Sequence, residues 1–390
     1  MLIDHINNSK SQTLLKWQFN TRSGISTAAF GVTESLRFYL PLVCGDPFLY
    51  IAKDAVAAKK AKEEISALCG EEVVLLPAKD DVLLFKKLFN KDNVFDRISA
   101  IHKIKNGAKY VVTTMEALMQ PLPLDMPSLN LYSAREYSLD ALVKILTLMG
   151  YRRSEFADQR GEFALRGDIL EIFPTDSDCA FRCDFFGDEI ERIRVIDEDR
   201  KSGEEVRSFA CLPAVDFFIE EGDVARITAA LGNSLKKFRL VGAKMKSTAI
   251  YKDITACFES GNLTDQRLGF LYPLLTNTTN DVFTYFKQCK AVYFDEPKMI
   301  KDSAEAAYKE HLSRFESLFE AGEAFDFSIN NLVDVQKVMD AITLPKHSFQ
   351  NINTVIGLFS PLDTIRFNCT PMTHYQRDAT QLPTDIWNWQ

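Results

Sequence analysis

Residues 161–195, GEFALRGDILEIFPTDSDCAFRCDFFGDEIERIRV, are where the period of the chain changes from 3.6 to 2. Gly161–Arg166 alternates apolar and polar side chains, as do Ile169–Phe173 and Phe181–Phe186, and Glu189–Ile196 reads as a strand with a bulge. The breaks between them are Gly167-Asp168, Pro174–Asp178 and Gly187-Asp188. These are turn residues, since glycine reaches positive φ and Asp and Pro favour reversals. Just upstream, Ser138 opens an amphipathic helix with Leu139, Leu142, Val143, Leu146 and Met149 on one stripe, closed by Gly150. A helix followed by a meander of short antiparallel strands is an α+β unit, expected over residues 133–216.

The chain on either side has a different texture. Phe48–Ala52 is a short apolar run followed by Asp54, a candidate N-cap. Val56, Ala57, Ala61, Ile65 and Leu68 recur at helical spacing up to Gly70. Val73–Leu76, a helix around Asp96–Lys105 and the run Tyr110–Thr113 continue the alternation. Strand, helix, strand implies a parallel sheet covered by helices. After Asp216 the α/β pattern returns, with a strand at Ala291–Phe294 and then a long helix. That helix carries Asp302 and Glu305 in capping-box spacing and a stripe of Ala304, Tyr308, His311, Phe315 and Leu318, ending at Gly322. Thr354–Phe359 and Thr364–Phe367 read as further strands. The expected layout is an α/β lobe at 1–132, the insert at 133–216, the returning α/β lobe at 217–350, and a linker with the start of another domain at 351–390. The last residues, Pro383–Gln390, read as a helix stopped midway, as in a truncated chain.

Length and composition agree with this division. A chain of 390 residues, 46% apolar and 26% charged, is globular and too long for one core. The net charge is −8, from 46 basic and 54 acidic residues, which argues against DNA as the main ligand. Of the eight cysteines, only Cys179 and Cys183 are near neighbours, and no histidine completes a metal set. Reduced, mostly buried thiols and no metal are expected. The N-terminus MLIDHINNSKSQ lacks an apolar core for a signal peptide, and no apolar run is long enough to span a membrane. A soluble cytoplasmic protein is the expectation.

The stretch 161–195 closely resembles the insert domain shared by the excision-repair protein UvrB and the transcription-repair coupling factor. Both carry a G-[ET]-[FY]-x-x-R-G run ending in F-P, followed by R-x-[ED]-[FL]-F-x-[DE]-E. The sequences VVTTMEALMQPLP at 111–123, LYPLLTNTTNDVFTYF at 271–286 and VYFDEP at 292–297 fit the coupling factor better than UvrB, and CTPMTHYQRDATQLPTDIW resembles the start of its next domain. The resemblance implies a helicase-like parallel-sheet fold, interrupted by a domain that docks UvrA. It also implies a role in recruiting UvrA to a stalled RNA polymerase. The polymerase, DNA and motor activities would lie in domains beyond this chain. A UvrB-type ATP-dependent helicase subunit is the alternative, and a stand-alone adaptor a third reading.

The phosphate loop bears on that choice. A working loop has the form G-x-x-x-x-G-K-[ST], so that backbone N–H groups, a lysine and a hydroxyl reach phosphates and magnesium. The corresponding place reads Gly31-Val32-Thr33-Glu34-Ser35-Leu36-Arg37-Phe38. Glu34 brings negative charge, Arg37 lacks lysine's compact reach, and Phe38 cannot ligate magnesium. Asp-Glu-Ser-His of UvrB-like proteins is here Asp295-Glu296-Pro297-Lys298. The site is therefore expected to bind no nucleotide cofactor, with 31–38 a helix N-terminus under the sheet and Asp295 and Glu296 helix-capping acids. His311 is expected to be a satisfied buried imidazole.

Strand phase nominates the docking residues. Phe181, Cys183 and Phe185 share one face, and Arg182, Asp184 and Phe186 the other. Arg166 is opposite in phase to Phe163 and Leu165. Exposed aromatics beside arginines are common at protein–protein hot spots. The resemblance then implicates Arg166, Arg182, Phe186 and Asp188 in binding UvrA. The competing reading makes Arg182–Asp184 and Arg166–Glu162 solvated ion pairs, with Phe186 tucked under a loop.

Overall fold

The computed structural model describes residues 11–79, 83, 90–123, 126–196, 202–275, 282–369, 380 and 387. Four strands come first: β1 (Thr27–Phe30), β2 (Phe48–Ala52), β3 (Val73–Leu76) and β4 (Tyr110–Thr114). Eight follow in the middle of the chain: β5 (Leu129–Tyr132), β6 (Arg152–Arg153), β7 (Glu162–Arg166), β8 (Ile169–Phe173), β9 (Ala180–Phe186), β10 (Glu189–Ile196), β11 (Ser202–Val206) and β12 (Ser208–Cys211). The chain then adds β13 (Ala291–Asp295), β14 (Lys346–Gln350) and β15 (Asp363–Arg366).

Strands β1–β4 and β13–β15 form one parallel sheet in the order β15-β1-β14-β13-β2-β4-β3. Every residue of β2 and β13 is buried, as both-face coverage of a parallel sheet requires. Alternate residues feed two cores. Leu49, Ile51, Val111, Val292 and Phe294 pack against the helices Lys91–Lys105, Pro297–Glu320 and Val335–Ala341. Phe48, Tyr50, Val112 and Tyr293 pack on the other side, with Trp17, Phe38 and Ile65 from the helices Gln12–Arg22, Glu34–Tyr39 and Ala55–Cys69. The local signals work as read. Asp54 accepts from the Ala57 N–H at 2.7 Å, and Gly70 closes that helix in the left-handed region.

The middle of the chain forms a six-stranded sheet, β11-β10-β9-β8-β7-β6. Its pairs are antiparallel except β6 with β7. The helix Leu139–Leu148, capped by Ser138, supplies Leu142 and Leu146 to a core with Phe163, Leu170, Ile172, Cys183, Ile190 and Ile193. β5 pairs with β12, so the strands entering and leaving this unit form one antiparallel ribbon. Cys183 and Cys211 lie in its core, and burial pushes the Cys183 thiol up to about 12. Of the eight cysteines four are buried and four half-buried.

Several expectations need correction. No strand forms at 354–359. Gly357 has φ +69, and the Thr354 N–H goes to the Gln350 side chain instead of a ladder. Residues 363–366 do form a strand, but it extends the main parallel sheet beside β1. The α/β pattern also resumes later than expected. Helices Glu221–Leu235 and Val241–Glu259 come first and share a separate cluster with Phe217, Phe270 and Phe325. Asp302 and Glu305 are not a cap, because the helix already begins at Pro297, whose missing N–H costs nothing at the first position. His311 is buried, and one ring nitrogen lies 2.9 Å from the Ile329 carbonyl oxygen.

Candidate functional site

Strand phase in the insert settles which side chains face outward. Phe181, Cys183 and Phe185 turn into the core, leaving Arg182, Asp184 and Phe186 on the opposite face of β9. Phe186 is 82% exposed, so it is not tucked under a loop. It stands at the end of β9 opposite Glu189, and the Gly187-Asp188 turn that follows is exposed. The backbone carbonyl of Asp188 accepts from the Tyr137 N–H at 2.6 Å, which ties that turn to the residues ahead of the helix.

The arginines of this face share one acceptor. Glu171 on β8 sits directly across from Arg182 in the β8–β9 register. Its Oε1 accepts from Arg182 Nη2 at 2.7 Å and Nε at 3.1 Å, and from Arg166 Nη2 at 2.7 Å. Glu171 is only 1% exposed although it lies on the outward face, because the guanidiniums cover it. Arg166 also donates to the Glu155 carbonyl, and its guanidinium lies 4.3 Å from the ring centre of Phe156. The pairings weighed from sequence, Arg182–Asp184 and Arg166–Glu162, do not form. Asp184 pairs with Arg194 and Glu162 with Arg152. Residues two or four apart on one strand share a face but lie about 7 and 13 Å apart along it, whereas cross-strand partners face each other at about 5 Å.

The second candidate site lies at the carboxyl end of the parallel sheet. β1 runs through Gly31, Val32 and Thr33 into the six-residue helix Glu34–Tyr39. Glu34 opens that helix, and its side chain lies outside the described residues. Gly31 has φ +68, and a Cβ there would stand 2.3 Å from the carbonyl oxygen of Phe367. Its glycine is required by the strand β15 passing beside it. Phe38 is buried among the core aromatics, 6.2 Å from Tyr50.

Arg37 is 7% exposed, and both of its terminal nitrogens are engaged inside the protein. It donates to Asp295 Oδ1 at 2.5 Å, Asn351 Oδ1 at 2.7 Å, Glu296 Oε1 at 3.3 Å and the Val32 carbonyl at 3.3 Å. Burial raises the Asp295 carboxyl above the usual carboxylate range, against the pull of Arg37. Neither acid caps the following helix. Glu296 sits at the cap position with φ 58 and makes no side-chain cap bond. It accepts instead from the Asn351 N–H at 3.0 Å. Among the described residues no group of His, Cys, Asp and Glu is placed to hold a metal ion, and no helix is long and apolar enough to cross a membrane.

The meander, its entering and leaving ribbon and its outward arginines coincide with a known module. Residues 129–217 match the UvrB interaction domain. A transcription-repair-coupling factor of Bacillus subtilis (strain 168) is 25% identical over 309 residues, covering 75% of this chain and 26% of that protein. The transcription-repair-coupling factor of Escherichia coli (strain K12) is 30% identical over 177 residues, 44% of this chain and 15% of that protein. UvrABC system protein B of Streptococcus uberis is 34% identical over 142 residues, 35% of this chain and 21% of that protein. The chain spans about a quarter or less of the length of these relatives.

Within the UvrB interaction domain, strand phase put Arg166, Arg182 and Phe186 on one face but missed three further members. The bulge between Ile190 and Arg192 resets the phase of β10, which brings Arg192 and Arg194 opposite Asp184 and Arg182. Glu171 was missed because its role depends on register. Its opposite charge to Arg182 across an antiparallel pair was the available signal.

Proposed function

We propose that this chain docks UvrA through the outward face of its UvrB interaction domain and that it hydrolyses no ATP. The reading is that of the front part of a cytoplasmic coupling factor, which brings UvrA to a stalled RNA polymerase. Contacts with polymerase and DNA belong to segments outside this chain. The proposed division is an α/β lobe at 1–132, the docking insert at 133–216 and a returning α/β lobe at 217–350, followed by 351–390, from which the strand at 363–366 joins the parallel sheet.

The observation that carries the proposal is Phe186, a large aromatic 82% exposed on the same outward face as two arginines fixed by a shared carboxylate. A solvated phenylalanine gains by desolvation when covered, and held guanidiniums form charge-assisted hydrogen bonds with little further ordering. The absence of ATP turnover is supported by Arg37, whose donors face Asp295 and Asn351 within the protein. A lysine free to meet phosphate has no counterpart at that position.

The test is binding of the 390-residue chain to purified UvrA, compared with Arg182→Ala and Phe186→Ala. Each change should weaken binding by about 1–3 kcal/mol. Undiminished binding by both variants would sink the docking role. Millimolar ATP with magnesium should leave the melting temperature of the chain unchanged. A rise that grows with nucleotide concentration would overturn the second half of the reading.

A further inference from the structure

Register gathers Arg166, Arg182, Arg192 and Arg194 on the outward face with the carboxylates Glu171, Asp184, Glu189 and Glu205. Glu171 and Asp184 are not equivalent. Among the described residues Asp184 pairs with Arg194 alone, while Glu171 binds Arg166 and Arg182 together and is itself shielded from solvent.

We propose that Glu171 is a positioning residue, which locks Arg166 and Arg182 in one orientation so that their outer edges receive a carboxylate-bearing surface of the partner. This rests on the docking role proposed above. Arginine is long and loses much rotamer freedom when it is fixed at an interface. With Glu171 in place that ordering is already present in the free protein. The side chain of Arg182 is 23% exposed and that of Arg166 36%, so each guanidinium is held by Glu171 and still reaches solvent. Phe156, stacked on the guanidinium of Arg166, fixes the plane of that group from the side.

Electrostatics gives this idea a distinctive test. Glu171→Gln keeps the shape but removes a negative charge from a face that meets an acidic partner. A residue acting by charge alone would then bind better when neutralised. A positioning residue instead loses the complex faster while encounter is undiminished, because steering follows net charge and residence follows fit. The experiment is association and dissociation of the full chain with immobilised UvrA, for wild type, Glu171→Gln, Glu171→Asp and Arg182→Ala. Glu171→Gln should raise the dissociation rate about tenfold and leave the association rate equal or higher. Glu171→Asp, whose shorter arm cannot serve both arginines, should fall between. Adding Glu171→Gln to an Arg166→Ala/Arg182→Ala double variant should change nothing further.

An unchanged dissociation rate in Glu171→Gln, with Arg182→Ala impaired, overturns the inference and leaves the docking role standing. Equal effects of Glu171→Gln in the wild-type and double-variant backgrounds overturn it as well. Full binding by Arg182→Ala overturns the inference too, and the docking role then stands or falls with Phe186→Ala. Melting of each variant is followed in parallel, and Glu171→Asp carries the comparison if Glu171→Gln is poorly folded.

Discussion

Two arginine–carboxylate clusters occupy the two parts of this molecule, and they differ in where their donors point. In the parallel-sheet lobe, Arg37 is 7% exposed and meets Asp295, Glu296, Asn351 and the Val32 carbonyl, all inside the fold. In the UvrB interaction domain, Arg166 and Arg182 converge on a buried Glu171 but keep part of each guanidinium at the surface. The first cluster reaches 314 residues along the chain, from Arg37 to Asn351, and ties β13 and the end of β14 to the helix after β1. The second is made within one meander. An arginine whose partners are all internal holds structure together. One anchored from beneath presents a receptor.

The largest effect that separates the two should come from Arg37. Arg37→Ala leaves Asp295, 3% exposed, without its cation, and removing one partner of a buried pair costs about 3–5 kcal/mol. Urea unfolding should show a loss of that order, while UvrA binding at low denaturant stays intact. Replacing both partners with apolar residues, as in Arg37→Met with Asp295→Leu, should recover much of the loss. A loss below about 1 kcal/mol for Arg37→Ala would mean that water reaches Asp295, and the closed cluster would then resemble the open one.

Much of the insert was legible because its signals are local. Turn glycines and two-residue alternation identify the strands of a meander and the phase of each, so Arg166, Arg182 and Phe186 fell on the correct face. Relations across the chain were not legible in the same way. Nothing near Arg37 announces that Asp295 and Asn351 will enclose it, and nothing near 363–366 says that this segment joins β1. The strand β1, TAAF, has too little apolar contrast to stand out, although it fixes the position of Gly31 and Arg37. Glu296 shows the same limit. It was expected to cap the helix that follows, yet it has φ 58 and accepts from the Asn351 N–H instead.

Acid should also divide the two regions, with a somewhat smaller effect. His347 is fully buried between Trp17 and Tyr293, with ring centres 5.3 and 5.2 Å away, and burial lowers it from 6.5 to about 4. It is neutral in the folded chain, while the unfolded chain takes up a proton as pH falls below 6.5. Its full stability contribution is therefore present above pH 6.5 and is lost between 6.5 and about 4. The loss amounts to about 3 kcal/mol at 1.36 kcal/mol per unit. Residues 129–217 contain no histidine, so their unfolding should be flatter over that range. Unfolding free energies at pH 7 and pH 4.5, for wild type and His347→Leu, check this. The variant should lose less stability on acidification, and parallel curves would show that His347 is not the group responsible.

The smallest expected stability effect belongs to Phe186, and it sharpens the contrast most. With 82% of the residue exposed, little apolar area is buried on folding, so Phe186→Ala should change unfolding stability by about 0.5 kcal/mol or less. Phe185, the next residue along β9, is 7% exposed and lies in the core. Phe185→Ala should cost about 3–5 kcal/mol, as emptied aromatic sites do. The affinities should run the other way. At temperatures where both variants are folded, Phe186→Ala should weaken UvrA binding by about 1–3 kcal/mol, and Phe185→Ala should leave it nearly unchanged. Two adjacent phenylalanines of one strand thus separate folding from docking, since the pleat turns one inward and the other out. If Phe186→Ala proved as destabilising as Phe185→Ala and bound UvrA normally, the outward face would be part of the fold and the docking surface would have to lie elsewhere on the insert.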